Sequence, residues 1–428
     1  MRRWFFVGIF LSLTSAQLWA DELVVAYKNE ELTIERYQNA DSAWRFVWLH
    51  SQYDRLLEWE RPLLMQLQQS GVEVWATDIL GSLFLTRSSA SVRQLSGEAV
   101  AAVLEIAQQA SNEDGKGIVV LASDRMAGLA LKGVRAWQQQ NVSEPTNFKG
   151  SILLFPNLYA NTPLAGEAPN WDAVVEVNQA PVMILQPEQG VHRWYLADLS
   201  TQLAQQQAAV YSWVLPGVKD YFFNPFAKQR TEPENVMTAQ LPTIFQLSAQ
   251  RLAAYAASHH PAQLAQIQND QAVNVHRTLP KLHEFSALKP APGLVGKTFD
   301  EQALDLADYK GKVVLVNFWA TWCPPCVTEI PSMNRLLAKY QAQGLEIVSV
   351  DFQQSATDIA TFVKRVPVDY PIVLDHDGRL SKQWGVFSFP TTFVVDRQGR
   401  LRYSLNQGVE WDVPELEAPL RALLAETD

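Results

Sequence analysis

The chain has 428 residues, 47% hydrophobic and 19% charged, with a net charge of −10. That is a globular composition, long enough for two or three domains. The acidic balance excludes nucleic acid as a partner, because counterion release needs a basic surface.

Residues 1–20 stand apart. Arg2 and Arg3 precede an apolar run over residues 4–13, and small residues follow. This reads as a secretory signal peptide cleaved after Ala16 or Ala20. The run is short beside the roughly 20 apolar residues of a membrane span, so a retained anchor is the weaker reading. No cysteine follows it, which excludes a lipid-modified N-terminal Cys.

Residues 21–235 alternate strand and helix patterns. RFVWLH (45–50), GVEVWATD (71–78) and GIVVLA (117–122) read as buried strands, with further strands at 151–155, 181–186 and 208–215. Helical periodicity covers 55–69, 92–109, 127–139 and 196–207. Such alternation predicts an α/β class, with a doubly wound parallel sheet covered on both faces.

The order of these elements resembles the α/β-hydrolase family. FVWLHSQYD is similar to that family's strand ending in a His-Gly turn, but Ser51 follows His50. VVLASDRMAGLAL falls where the nucleophile elbow belongs, a G-x-S-x-G turn between strand and helix. Aligned on Met126, Ala127 and Gly128, the resemblance puts Arg125 in the nucleophile's place, with Ser123 and Ala127 for the two glycines. LPGVKDYF, where the family carries its His, has Lys219 and Asp220 instead. The expected domain is therefore hydrolase-like without the triad. Arg125 cannot be a nucleophile, being always protonated. It is either a contact for an anionic ligand or the partner of a neighbouring acid. Ser123 as a displaced nucleophile has only His192 downstream for a base and lacks the flanking glycines.

Residues 236–285 are rich in Ala and Gln at helical spacing, which predicts a helical extension leading into a linker near Leu279 and Pro280. His259 and His260 are adjacent and point different ways on a helix, so they do not make a metal pair.

Residues 286–428 hold the only two cysteines, Cys323 and Cys326, in FWATWCPPCVTEIP. A disulfide across three positions constrains little of the unfolded chain, so it is nearly worthless as a staple. It makes sense as a redox pair. KVVLVNFWA (312–320) reads as a buried strand that feeds the pair into a helix over 326–340, opened by Pro325 and kinked by Pro331. Strands at 345–351 and 372–374, a helix at 357–365, a hairpin over 392–405 and a closing helix at 414–425 complete the order. At a helix N-terminus the dipole lowers the first thiol's pKa. Cys323 is then the attacking thiolate at the exposed start, and Cys326 the buried resolving thiol. Pro390, between Phe389 and Thr391, stands where a cis peptide would face the redox helix and offer the Phe389 backbone to a client strand. A zinc site would need two further ligands, and the seven His include no H-x₃₋₅-H pair.

PAPGLVGKTFDEQALDLADYKGKVVLVNFWATWCPPC and WGVFSFPTTFVVDRQGR resemble the thioredoxin superfamily, and more narrowly the exported thioredoxins of TlpA/ResA type. The resemblance covers about one third of the chain. It implies a thioredoxin fold, catalysis by Cys323 and Cys326 with Pro390, and support from Trp322, Pro324, Pro325, Asn317, Phe389 and Thr391. Asn317 stands where cytosolic thioredoxins carry a buried Asp. Asn cannot titrate, so the proton of Cys326 must pass by water or by a carboxylate elsewhere, for which Glu329 is a weak candidate. The resemblance further implies a periplasmic reductase of client disulfides that uses no cofactor beyond the Cys323–Cys326 disulfide, binds no metal, and is recharged by a membrane donor of DsbD/CcdA type. The N-terminal domain would be a docking module. The alternatives are a ligand- or protein-binding domain with a redox-sensing appendage, a disulfide-donating oxidase, and a hydrolase with a redox appendage.

Overall fold

The computed structural model describes residues 20–141, 146–160, 170–223, 230–256 and 281–426. Residues 1–19 of the expected signal peptide, His259, His260 and the linker at Leu279 and Pro280 lie outside them. The described residues form two compact units, the first ending with helix Glu232–Ala256 and the second holding every strand from His283 onward.

The first unit is built on eight strands: β1 (Asp21–Tyr27), β2 (Glu30–Tyr37), β3 (Trp44–Leu49), β4 (Glu73–Thr77), β5 (Gly117–Ser123), β6 (Phe148–Leu154), β7 (Val182–Pro187) and β8 (Val210–Leu215). They lie in the order β1-β2-β4-β3-β5-β6-β7-β8. From β4 to β8 the sheet is parallel, as the alternation predicts. The hairpin β1–β2 was not legible, and it adds an antiparallel edge through the β2–β4 pairing. Its charged residues, such as Glu30, Glu31, Glu35 and Arg36, mask the apolar alternation.

Strand periodicity sends successive side chains to opposite faces. Phe46 and Trp48 of β3 join one core, while Val47 and Leu49 join the other. The helix that forms within the expected helical extension packs into the core of this domain. Helix Glu232–Ala256 sends Met237, Leu241, Ile244, Phe245, Ala249 and Leu252 into the first core, and Phe245 meets Trp48 edge-on at 6.2 Å.

The single helix expected over 92–109 is two, Ser89–Gln94 and Glu98–Asp114. Gly97 stands between them with φ +88°, and a Cβ there would lie 2.4 Å from the Lys132 backbone. The helix must break so that its neighbour Met126–Gln140 can approach this closely.

The second unit has β9 (His283–Pro290), β10 (Val295–Lys297), β11 (Ala303–Asp305), β12 (Val313–Trp319), β13 (Leu345–Phe352), β14 (Ile372–Asp375), β15 (Thr391–Val395) and β16 (Arg400–Leu405). Six form one sheet, β14-β13-β12-β15-β16-β9, and β10 pairs with β11. The central strand β12 runs parallel to β13 and antiparallel to β15. A domain boundary at residue 286 falls inside β9. That strand is mostly exposed, so no burial pattern announces it. The helix after β12 starts two residues earlier than expected and runs through Pro331 as one element, Pro324–Tyr340. Among the described residues no helix is long and apolar enough to cross a membrane.

Candidate active site

The site grows from the end of β12. A run of β-branched and aromatic residues fixes that strand in the core, with all seven residues buried. The chain leaves through Ala320, Thr321 and Trp322, and the Gln354 amide ties this segment down. Its Oε1 accepts from the Thr321 amide and its Nε2 donates to the Thr321 hydroxyl, both at 2.7 Å. Cys323 then caps the helix Pro324–Tyr340 in extended conformation. Pro324 and Pro325 occupy the first turn, where a missing N–H costs nothing.

Cys323 and Cys326 form a disulfide with their Cα atoms 5.3 Å apart. The expectation of an exposed attacking sulfur needs correction, because Cys323 is only 5% exposed and Cys326 is fully buried. Both pack in one cluster with Trp319, Ile330 and Phe362, against which Trp322 and Phe389 lean. Aromatic side chains of this cluster shelter the N-cap residue. What opens to solvent is the small remainder at Cys323.

The Phe389–Pro390 peptide is cis. Phe389 meets Trp322 edge-on at 6.0 Å and Phe352 at 4.9 Å. These contacts hold the loop before β15 against the segment that leads into the helix Pro324–Tyr340 and against the end of β13. Pro390 is buried, and the buried Thr391 donates through its hydroxyl to the Ser388 carbonyl at 2.7 Å.

Below the disulfide lies a polar group in the core. Register sets Asn317 of β12 opposite Thr392 of β15. The Asn317 amide donates to the Glu329 carboxylate and to the Thr392 hydroxyl, both at 2.9 Å. Trp411 donates its indole N–H to the other Glu329 oxygen at 3.2 Å. Glu329 is 1% exposed. Burial pushes its carboxyl up to about 8, against the weaker opposing pull of Asn317 and Trp411. It lies one helical turn beyond Cys326, at i+3, and therefore on the same face. The sequence singled out Glu329 only weakly, and Trp411 and Thr392 not at all. The signal available was the charged residue three positions after Cys326, on the face that must be buried.

At the first unit's corresponding strand ends, the turn between β5 and its helix has its left-handed residue at Asp124, with φ 48°. Arg125 follows in right-handed helical conformation as the N-cap of Met126–Gln140, 8% exposed. β5 continues to Ser123, one residue beyond the strand expected over 117–122. Ser123 is buried there. No group of three His, Cys, Asp or Glu among the described residues is placed to hold a metal ion.

Residues 287–404 match the AhpC/TSA family. The C-terminal third is a thioredoxin-like domain of that family. This domain is 38% identical over 113 residues to the thiol-disulfide oxidoreductase ResA of Bacillus thuringiensis subsp. konkukian, covering 26% of this chain and 65% of the relative. It is 37% identical over 111 residues to ResA of Bacillus subtilis, covering 26% and 62%. The match therefore spans less than two thirds of the length of these curated relatives. A crystal structure of a thiol:disulfide interchange protein DsbE from Chlorobium tepidum aligns with 30% identity and a TM-score of 0.31, covering 34% of this chain and 100% of the other. The resemblance to ResA-type proteins drawn from the motifs thus agrees with what the thioredoxin-like domain is similar to.

Proposed function

We propose that the chain is an exported thiol–disulfide oxidoreductase that reduces client disulfides, acting in the periplasm. The observation that carries this reading is the Cys323–Cys326 disulfide at a helix N-terminus with Glu329 buried one turn behind it.

In the reduced enzyme the Cys323 thiolate attacks one sulfur of the client disulfide. A mixed disulfide forms and one client thiolate leaves. Cys326 then loses its proton and attacks the Cys323 sulfur. The enzyme disulfide forms, the second client thiolate departs, and two electrons have passed to the client. Glu329 is the proton carrier in this scheme. A carboxyl with a pKa near 8 holds its proton in the disulfide state at neutral pH, hands it over when the pair is reduced and takes it back from Cys326. Asn317 and Trp411 orient it. Pro390 and Phe389 bound the surface on which the client strand lies. A membrane reductase of DsbD/CcdA type would return the electrons.

The same proposal gives the first unit the role of a client-docking module on a hydrolase-like scaffold. The strand order with its antiparallel first hairpin, and the sharp strand-to-helix turn at Asp124, support that scaffold. Its elbow carries Asp where a serine hydrolase has Ser.

The test is capture. Cys326→Ser leaves the mixed disulfide unresolved, so thiol-bearing proteins should accumulate as adducts that dithiothreitol releases, and Cys323→Ser should yield none. Adducts of equal yield in both variants would remove the reading. The direction is read from the equilibrium potential of the pair. A value near about −270 mV agrees with a reductant, whereas one near about −120 mV would make the protein a disulfide donor.

A further inference from the structure

The cysteine pair is approached by a polar side chain that the chemistry above leaves without a task. The ladder between β12 and β13 ends at the pair Trp319 and Asp351. Beyond it the two strands part, β12 towards Cys323 and β13 towards the helix Ala356–Val363. Gln354 rejoins them. Its carboxamide meets Thr321 at two points, accepting from the N–H and donating to the hydroxyl, each at 2.7 Å.

What this grip reaches is Cys323. The Thr321 N–H belongs to the same peptide unit as the Ala320 carbonyl, and that carbonyl accepts from the Cys323 N–H at 3.2 Å. One peptide plane is thus fixed at both ends, by Gln354 on its N–H and by Cys323 on its oxygen. Hydrogen bonds in such a chain polarise and strengthen one another.

The turn that delivers Gln354 is strained. Gln353 before it has φ 56°, a left-handed backbone that a residue with a long side chain rarely adopts. The turn is held nonetheless. The Gln353 N–H donates to the Asp375 carbonyl at 3.0 Å, and the Gln354 N–H to the Asp351 carboxylate at 3.2 Å. Register is already set at Trp319, so the turn adds nothing to strand pairing. What it adds is the hold on Thr321.

Cys323 is the N-cap of the helix Pro324–Tyr340, with φ −94° and ψ 101°. An N-cap side chain accepts from the N–H two or three residues on. Pro325 has no N–H, so of these donors only the Cys326 N–H remains. The Cys323 sulfur makes no cap bond in the disulfide. A thiolate formed on reduction is a stronger acceptor, and it meets that N–H only while Cys323 keeps its N-cap conformation.

We propose that Gln354 is a positioning residue of the thiol–disulfide reaction: through Thr321 and the Ala320 carbonyl it keeps Cys323 in the N-cap conformation, where the Cys326 N–H holds the attacking thiolate. From there the thiolate bonds to one client sulfur and the other client sulfur leaves as thiolate. No electron or proton passes through Gln354. The role rests on the reading of Cys323 as the attacking residue.

In the full chain with Cys326→Ser, Cys323 is the only thiol, and the pH profile of its alkylation by iodoacetamide reads its thiolate directly. Adding Gln354→Ala should raise the midpoint by about half a unit or more, as expected for one lost cap bond. A loosened fold with Cys323 still capped leaves the midpoint where it was. Thr321→Val keeps the N–H and removes only the hydroxyl, so it should raise the midpoint less and add nothing to Gln354→Ala. An unchanged midpoint in Gln354→Ala overturns the proposal, as do equal rises from Thr321→Val in both backgrounds. Should Gln354→Ala lose its circular dichroism spectrum, Thr321→Val decides alone, and an unchanged midpoint there overturns the proposal equally. The redox reading is judged apart, by the adducts that Cys326→Ser traps. Adducts together with an unchanged midpoint remove the role of Gln354 and leave the oxidoreductase.

Discussion

At the scale of single residues, the buried Glu329 is the feature with the largest consequence. Its folded-state pKa near 8 lies above the ordinary carboxylate value of 4.5. Below about pH 4.5 folded and unfolded chains both carry the proton, and the neutral carboxyl costs the fold little. Between the two values the unfolded chain releases a proton that the folded chain keeps, so stability falls as pH rises, and the loss is complete above about pH 8. Unfolding of the disulfide form, followed by hydrogen exchange of β12 amides, should show a drop on the order of a few kcal/mol from about pH 5 to about pH 9. In Glu329→Gln that drop should largely vanish, since nothing titrates there. The same variant should slow resolution of the mixed disulfide while leaving the first attack by Cys323 intact, which rapid-quench trapping of adducts resolves into two rates. Equal slowing of both steps would assign Glu329 a purely structural part.

At the scale of elements, two local devices can be tested. Gly97→Ala sets a side chain on a left-handed residue, with its Cβ 2.4 Å from the Lys132 backbone. Neither helix can yield without opening the core around Val100, so a loss above about 2 kcal/mol is expected in urea unfolding of the first unit. A loss below about 0.5 kcal/mol would mean that the break between the two helices has another cause. Ser355 caps helix Ala356–Val363 in a full capping box, its hydroxyl accepting from the Asp358 amide while the Asp358 carboxylate accepts from the Ser355 amide. Ser355→Ala should cost about 1 kcal/mol in the second unit and leave the first unchanged. The elements themselves were legible where their pattern is strong. Continuous apolar runs gave β3, β5 and β12, and the Asn317 that interrupts β12 marked the site. The hairpin β1–β2 and strand β9 were not legible, because exposed and charged strands carry no burial signal.

At the scale of the whole molecule, the cores of the second unit draw only on residues from Leu282 to Leu424. A fragment of residues 281–428 should therefore fold and reduce insulin disulfides at a rate near that of the full chain. If the first unit docks clients, the Cys326→Ser form of that fragment should trap fewer of the proteins that the full-length Cys326→Ser chain traps. An identical set of adducts from both would remove the docking role while leaving the redox chemistry in place.

The sequence by itself determined the spacing of the cysteine pair, the strand that leads to it, the Phe389–Pro390 segment and the kind of fold around them. Those features are local: spacing in a helix turn, β-branched runs and proline chemistry act over a few residues. Only the tertiary structure decided which carboxylate lies behind the sulfurs, since the environment of Glu329 is set by Asn317 on β12 and Trp411 near the chain's end. It likewise decided that residues 232–256 close the first core. Burial and electrostatics depend on groups far apart in the chain, and no local pattern in the sequence encodes which of them meet.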